Sequence, residues 1–518
     1  MKMFFFHTLP RIFPVILIFS IGIFFRLYQF DTIPFGLHHD GALEGLEAIE
    51  LSQSPLPYRP YSNLGWQGES LFRYSAALMI HFFGPHVWVL KLTSTLWSIF
   101  TLFSLYLAAK ILFGKRTALI TLLFFACSGW SIIMGKSVWR VITFPFFLSL
   151  LLGVSYAFFM KPSNGLAILL GFFTACTINT YNSARVTPLF LLGMAFIFRH
   201  MIFSVHSRYI WKKLGVAFCV SVLFLSPLIL FAIQNPDVFN SRSSYLFVGT
   251  KIIQQRSLIP LFDNCIRTFE LFTKQAHGDD FFTTQPLLEW PSAIIFLVGC
   301  IICVLTLRKQ SSQVLLLGMF VYLLPGFLTE ANGNRAMGTM PFVYMLIGMG
   351  GTFFFQKLSK IRFRIVRNGF YAGVMSVVCI VCWNTYFGEQ RRNVFGFYPE
   401  ASVVGNYMKP RIFSTDFYLT DNFPRDTITF LTYQKGNPYI KHYVWVENDV
   451  DFLSVQRNPY KRLIFVAMPY NDHEEVFHLL RMQYSGAHDD MLYLQEDGIQ
   501  KPAAQLLIVE PYVGMHYE

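Results

Sequence analysis

Apolar stretches of about 18 residues or more recur through the first three quarters of this chain, and no other feature limits its fold so strongly. A run of that length crosses the hydrocarbon of a bilayer as a helix, where every backbone polar group must be satisfied internally. The candidate spans, three of them shorter, are Ile12–Phe30, Val87–Ile111, Thr117–Met134, Ile142–Met160, Leu166–Tyr181, Val186–Phe198, Leu214–Ile233, Trp290–Leu307, Val314–Leu328, Met337–Phe355 and Gly369–Tyr386. The expectation is a polytopic α-helical membrane protein with about eleven transmembrane helices. Charged residues make up 14% of the chain, against about 25% in soluble domains. Leu71–Phe83 is apolar but short, and reads as an interfacial helix. A cleaved signal peptide does not fit Met1 to Phe30: the apolar region is too long, and no small-residue cleavage site precedes Arg26 and Tyr28.

Charge supplies a test independent of hydropathy. With a cytoplasmic N-terminus, the inner segments are Met1–Arg11, Lys110–Arg116, Lys161–Gly165, Arg199–Lys213, Arg308–Gln313 and Lys357–Asn368. They are rich in Lys and Arg and contain no Asp or Glu. The positive-inside rule therefore accounts for the net charge of +12 without nucleic acid as a partner. An odd number of spans places the C-terminal tail outside. The expected location is the cytoplasmic (inner) membrane, multi-pass, with the C-terminal domain extracytoplasmic.

Two units follow: residues 1–387, a transmembrane region with outer loops 31–86 and 234–289, and residues 388–518, a small α/β domain. The tail lacks cysteine and carries 17 of the 30 acidic residues. Short β-rich runs at Phe417–Leu419, Leu463–Ala467 and Leu506–Val509 alternate there with a helical stretch, His473–Tyr484. The eight cysteines do not form a secreted-type disulfide framework. Cys300/Cys303 and Cys379/Cys382 have C-x-x-C spacing but sit inside apolar runs, as small helix residues.

Ionisable residues are expensive in hydrocarbon, and here they gather near the outer interface. The first outer loop opens with Pro34-Phe35-Gly36-Leu37-His38-His39-Asp40-Gly41 and continues through Glu44, Glu47 and Glu69. Asp40 suits a general base toward a hydroxyl, or an N-cap at a helix start, and the two roles are compatible. Lys136, Arg140, Arg185, Arg242 and Arg335 stand in outer turns against the positive-inside bias. Bound phosphate is one reason for such residues to persist, since Arg makes bidentate contacts to it; headgroup snorkelling and ion pairs with loop acids are the alternatives. His38 and His39 could join Asp40 or Glu44 as metal ligands, although adjacent loop histidines are more often unliganded, so no metal site is expected. No P-loop or dinucleotide fingerprint occurs.

These stretches resemble the membrane glycosyltransferases of the protein-O-mannosyltransferase and aminoarabinose transferase type, built on the GT-C fold. The matching segments, in order, are Pro34 to Ala48, Gly68 to Tyr74, Gly135 to Arg140, Tyr181 to Pro188 and Arg335 to Pro341. Two positions depart from the pattern: Gly41 replaces the second acid of a pair, and Lys136 replaces an arginine. The resemblance implies transfer of a sugar from a polyprenyl-phosphate donor to a lipid, glycan or protein acceptor on the outer face. In that implied mechanism Asp40, helped by Glu44 or Glu69, serves the acceptor. Lys136, Arg140, Tyr181, Arg185, Arg242 and Arg335 would hold the donor phosphate. Membrane lipid is a further partner. No cofactor is implied, with a divalent cation near Asp40 left open. A transporter or flippase of a lipid-linked saccharide is the alternative, although transporters place ionisable residues near the bilayer midplane.

Overall fold

The computed structural model describes residues 2–53, 58–62, 68–203, 207–274, 285–358, 363–392, 395–420, 423–434, 443–446, 449–469, 474–496 and 499–511. The chain opens with α1 (Lys2–Leu27), two short helices α2 (His39–Gln53) and α3 (Leu71–Phe83), then α4 (Val87–Phe113). There follow α5 (Lys115–Ala126), α6 (Gly129–Lys136), α7 (Thr143–Met160), α8 (Asn164–Ile178), α9 (Thr187–Ile197), α10 (Arg199–Ile202) and α11 (Ser207–Gln234). The second long loop contains α12 (Pro236–Leu246), α13 (Val248–Gln255) and α14 (Ile259–Thr273). The bundle closes with α15 (Trp290–Leu305), α16 (Gln310–Leu328), α17 (Met340–Leu358) and α18 (Arg364–Trp383).

Each of the eleven apolar runs is helical, and this is a multi-pass membrane protein. Among the described residues six helices are long and apolar enough to cross a bilayer, or seven if the bent pair α5–α6 is one span. Helices over Phe13–Leu27, Asn164–Ile178, Asn182–Ile197 and Trp290–Leu305 are apolar but shorter. The α5–α6 pair bends by 59°. Arg26, buried at the end of α1, meets that break: its guanidinium donates to the carbonyls of Phe125 and Ala126 and to Ser131 Oγ. Irregular backbone at membrane depth is tolerated where protein groups satisfy it in this way. All eight cysteines are free thiols.

The C-terminal region forms α19 (Pro399–Met408), β1 (Thr415–Thr420), α20 (Arg425–Thr432), β2 (Tyr443–Val446), β3 (Arg462–Ala467), α21 (Glu474–Gln483), β4 (His488–Glu496) and β5 (Ile499–Val509). The strands make one mixed sheet in the order β2-β1-β3-β5-β4. β1 runs parallel to β2 and β3, and β5 pairs antiparallel with β3 and β4. Alternation along β3 sends Ile464 and Val466 to one apolar cluster and Leu463 and Phe465 to another, on opposite faces of the sheet.

This domain is joined to the bundle by packing. Phe430 of α20 belongs to the same buried cluster as Leu90 of α4. Thr427 Oγ1 donates to the Leu37 carbonyl at 3.1 Å. Gly45 on α2 permits the approach, because a Cβ there would lie 2.6 Å from both Leu90 and the Phe430 ring. The start of α4, the short helices α2 and α3, and the sheet domain thus meet at one end of the bundle. The opposite ends of α4 and α17 carry Lys110 and Lys357.

Candidate active site

Helix α2 presents Asp40, Glu44 and Glu47 at spacings of four and three, which places them along one helix face. Glu44 and Glu47 are buried, and so are Arg73 of α3 and Arg140, which precedes α7. Arg73 Nε lies 2.6 Å from Glu44 Oε2 and 2.7 Å from Glu47 Oε2. Arg73 also donates from Nη2 to Glu44 Oε1 at 3.1 Å and from Nη1 to the Gly68 carbonyl at 2.9 Å. Arg140 Nη1 donates to Glu44 Oε1 at 2.9 Å, and Ser62 Oγ to Glu47 Oε2 at 2.7 Å. Two guanidinium groups and two carboxylates therefore compensate one another out of water. Burial pushes the Glu47 carboxyl above its ordinary range, while Arg73 and Ser62 pull it back.

A second pair adjoins this lattice. The fully buried Glu69 accepts from Arg185 Nη2 at 3.2 Å. Arg185 also donates to the Phe239 carbonyl and to Asn182 Oδ1, with its guanidinium 3.7 Å from the centre of the Phe239 ring. Burial, and then the Glu69 charge, raise the Tyr61 phenol beside it. Gly68 is needed here: a Cβ would come within 2.4 Å of the Arg140 guanidinium carbon. Arg140 in turn lies over the Tyr181 ring, 5.5 Å from its centre.

Tyr181 also lines a pocket of about 260 Å³ with Asn182, Ser183, Ser243, Phe247 and Arg335. Arg335 Nη1 donates to the Glu330 carbonyl and lies 3.3 Å from Glu330 Oε2 at its edge. Arg242 lies on α12, one residue before the pocket-lining Ser243, and its side chain is outside the described set. Lys136 stands apart from these groups. It is buried, donates to the Tyr28 carbonyl at 2.7 Å and faces the rings of Tyr386 and Phe387. The shared ring of cations expected from the turns is thus divided: Arg140 and Arg185 pair with carboxylates, Arg335 edges a pocket, and Lys136 packs among aromatics.

Asp40 occupies different surroundings. It lies in the first turn of α2, where its backbone N–H donates to His38 Nδ1 at 3.1 Å. The imidazole therefore supplies the acceptor that an N-cap carboxylate would have given. His39 Nε2 is 3.4 Å from Asp40 Oδ1, and His39 Nδ1 is 3.2 Å from Tyr398 OH. The His38 ring lies tilted beside those of Trp139 and Tyr398. His38, His39 and Asp40 bring one ligand atom each to within 4.8 Å of one another, a donor set able to hold a divalent cation. The acid absent at Gly41 has a counterpart across the domain boundary. Asp426 of α20 is raised above the usual carboxylate range by burial and then by the charge of Asp40.

Neither Arg73 nor Glu47 stands out as a functional residue in the sequence; two carboxylates spaced i, i+3 and an arginine in a short apolar helix are the available signal. Tyr398 and Asp426 had no local signal, because only tertiary packing brings them to the loop.

No protein-family model matches the sequence, and comparison with curated proteins finds no match. Solved structures do match. ArnT from Cupriavidus metallidurans bound to undecaprenyl phosphate aligns with a TM-score of 0.58 at 12% identity, covering 95% of this chain and 97% of that one. The same protein in the apo state gives 0.56 at 12% identity, with the same coverage. The Archaeoglobus fulgidus oligosaccharyltransferase tethered with an acceptor peptide gives 0.51 at 12% identity, covering 96% of this chain and 74% of that one. The chain has the GT-C fold. The GT-C likeness takes in the bundle and the C-terminal sheet together, because it covers nearly the whole chain. The Asp40 loop meets the C-terminal part at Tyr398 and Asp426, whereas the arginine lattice and the Arg335 pocket are built from bundle and loop residues.

Proposed function

We propose that this protein is a glycosyltransferase that moves a sugar from a polyprenyl-phosphate donor to a hydroxyl- or amine-bearing acceptor. Asp40 takes the acceptor proton as the new bond to the sugar's anomeric carbon forms. The bond from that carbon to phosphate oxygen breaks with inversion, and polyprenyl phosphate leaves. Arg335 and Tyr181 hold the departing phosphate in the pocket they line, with Arg185 beside it. Arg140, Glu44 and Glu69 position these groups through the ion-pair lattice. Both Glu44 oxygens are already held by Arg73 and Arg140, which favours Asp40 over Glu44 for the proton. Lys136 fixes the turn before Arg140, and Arg242 adjoins the pocket through its helix. The acid-free basic segments argue for a cytoplasmic N-terminus and a C-terminal domain outside the inner membrane.

The observation that carries this reading is the pairing of Asp40 with a basic pocket at the same end of a GT-C bundle. The ArnT neighbour was solved with undecaprenyl phosphate, which supports a polyprenyl-phosphate donor. The test uses full-length protein in nanodiscs with undecaprenyl-phosphate-linked radiolabelled sugars and a cell-envelope acceptor fraction. Release of undecaprenyl phosphate that depends on Asp40 supports the transferase. Passage of intact labelled donor across sealed vesicles without consumption would assign the protein to transport.

A further inference from the structure

A second cavity lies where the start of α4 meets α19 and α20. Its volume is about 290 Å³, and it shares no lining residue with the Arg335 pocket. Lys91, one turn into α4, is 1% exposed, and its ammonium donates to the carbonyls of Asp31 and Pro34. Three donors on that group leave one beyond these two bonds. From the domain side, Ser402, Asn406 and Lys409 face the cavity at a spacing of four and three along α19 and its continuation. Among the described residues neither lysine forms an ion pair. Burial holds Lys409 below its ordinary value, and burial followed by the Lys409 charge does the same to His86, which also lines the wall. His86 is the N-cap of the 27-residue α4 and makes no side-chain capping bond, so the positive end of a long helix adds to the field. The exposed Asp31 is the one acid on the rim. Phe35 and Trp88 complete the mouth, both partly exposed, as aromatics at a membrane–water boundary are.

Lys91, fully buried with only the rim charge of Asp31 near it, and the half-buried Lys409 put two cations on one cavity at the start of α4, a combination that an anion would stabilise. We propose that this cavity binds the anionic phosphate head group of a membrane lipid, at a site separate from the sugar donor's. The lipid ties the C-terminal domain to the bundle, because its phosphate contacts α4 from one side and α19 from the other. Phe430 lines the same cavity and packs against α2, so the site lies behind the helix that carries Asp40.

Native mass spectrometry of the full-length protein in detergent, titrated with short-chain phosphatidylglycerol, tests this. Retention of a phosphatidylglycerol that the matching phosphatidylcholine does not displace is expected. Lys409→Glu should weaken that retention by about fivefold or more, the effect of one basic group at an anionic headgroup. Asn406→Trp fills the cavity from the domain side and should weaken it without changing charge, whereas the distant Lys501→Glu should leave it unaltered. Both cavity variants spare the loop carbonyls held by Lys91, and melting temperatures check that they fold. Equal retention by wild type, Lys409→Glu and Asn406→Trp would overturn the proposal. So would tight binding of inorganic phosphate alone with no competition from phosphatidylglycerol, which would make the ligand a free anion.

Discussion

Asp40 and Glu44 stand one turn apart on α2, yet their surroundings differ in kind. Glu44 is locked between Arg73 and Arg140, in a lattice where every buried charge has a counter-charge within hydrogen-bond reach. Asp40 sits among imidazole and phenol rings with a second carboxylate, Asp426, in its field. In the first arrangement the carboxylate oxygens are already committed to two guanidinium groups. In the second the neighbours of the carboxylate are an imidazole and a second acid. A single helix of 15 residues therefore carries both the ion-pair lattice and the carboxylate proposed to react.

The sharpest way to break this contrast is Asp40→Asn. Turnover should fall by about 10²–10⁴-fold, the span for loss of a general base, with the melting temperature unchanged. A matching fall in melting temperature would put Asp40 in the scaffold instead. Next comes Arg73→Met, which leaves Glu44 and Glu47 buried with one guanidinium fewer and should cost about 3–5 kcal/mol of stability. Thermal unfolding in detergent measures it, and a loss below 1 kcal/mol would mean that the lattice is better hydrated than its burial implies. Arg335→Ala should raise KM for the donor about tenfold with little change in kcat, as removal of one charge-assisted contact does.

The smallest effect concerns Asp426. Its folded pKa is raised, so the folded state holds the proton more tightly than the unfolded chain. Stability linked to this group is present at low pH and is lost as pH rises from the ordinary carboxylate value through the raised one. Asp426→Asn should stabilise the protein at neutral pH by less than about 1 kcal/mol, since the group is part exposed. That gain should vanish below the ordinary carboxylate range. Melting temperatures across pH 2.5 to 8 check the sign, and a gain that persists at pH 2.5 would mean that ionisation of Asp426 is not its cause.

Much of the bundle was legible, because a bilayer demands long apolar helices and leaves a periodic trace in the sequence. Leu71–Phe83 was expected as a short interfacial helix and is α3 with those bounds. The count of crossings was less legible: an apolar run such as Leu166–Tyr181 overlaps the 15-residue α8, shorter than a spanning helix. In the tail, β1, β3, β5 and α21 fall on the expected runs, whereas β2 and β4 do not stand out, being edge strands with fewer buried positions. At the site, the acids and arginines were visible one by one, but which arginine would pair with which carboxylate was not. Lys136 and Arg140 are four residues apart and bond to different partners, because one lies on α6 and the other beyond the turn.

The sheet order has a consequence for how this protein is made. β5 is the last strand in the chain and lies between β3 and β4, so β4 has no partner, and β3 only β1, until residues 499–509 have been synthesised. The helix bearing Asp426 packs on that sheet and touches the Asp40 loop. A chain that ends before Ile499 therefore leaves β4 unpaired, in the sheet whose apolar cluster also takes in Ile428 of that helix.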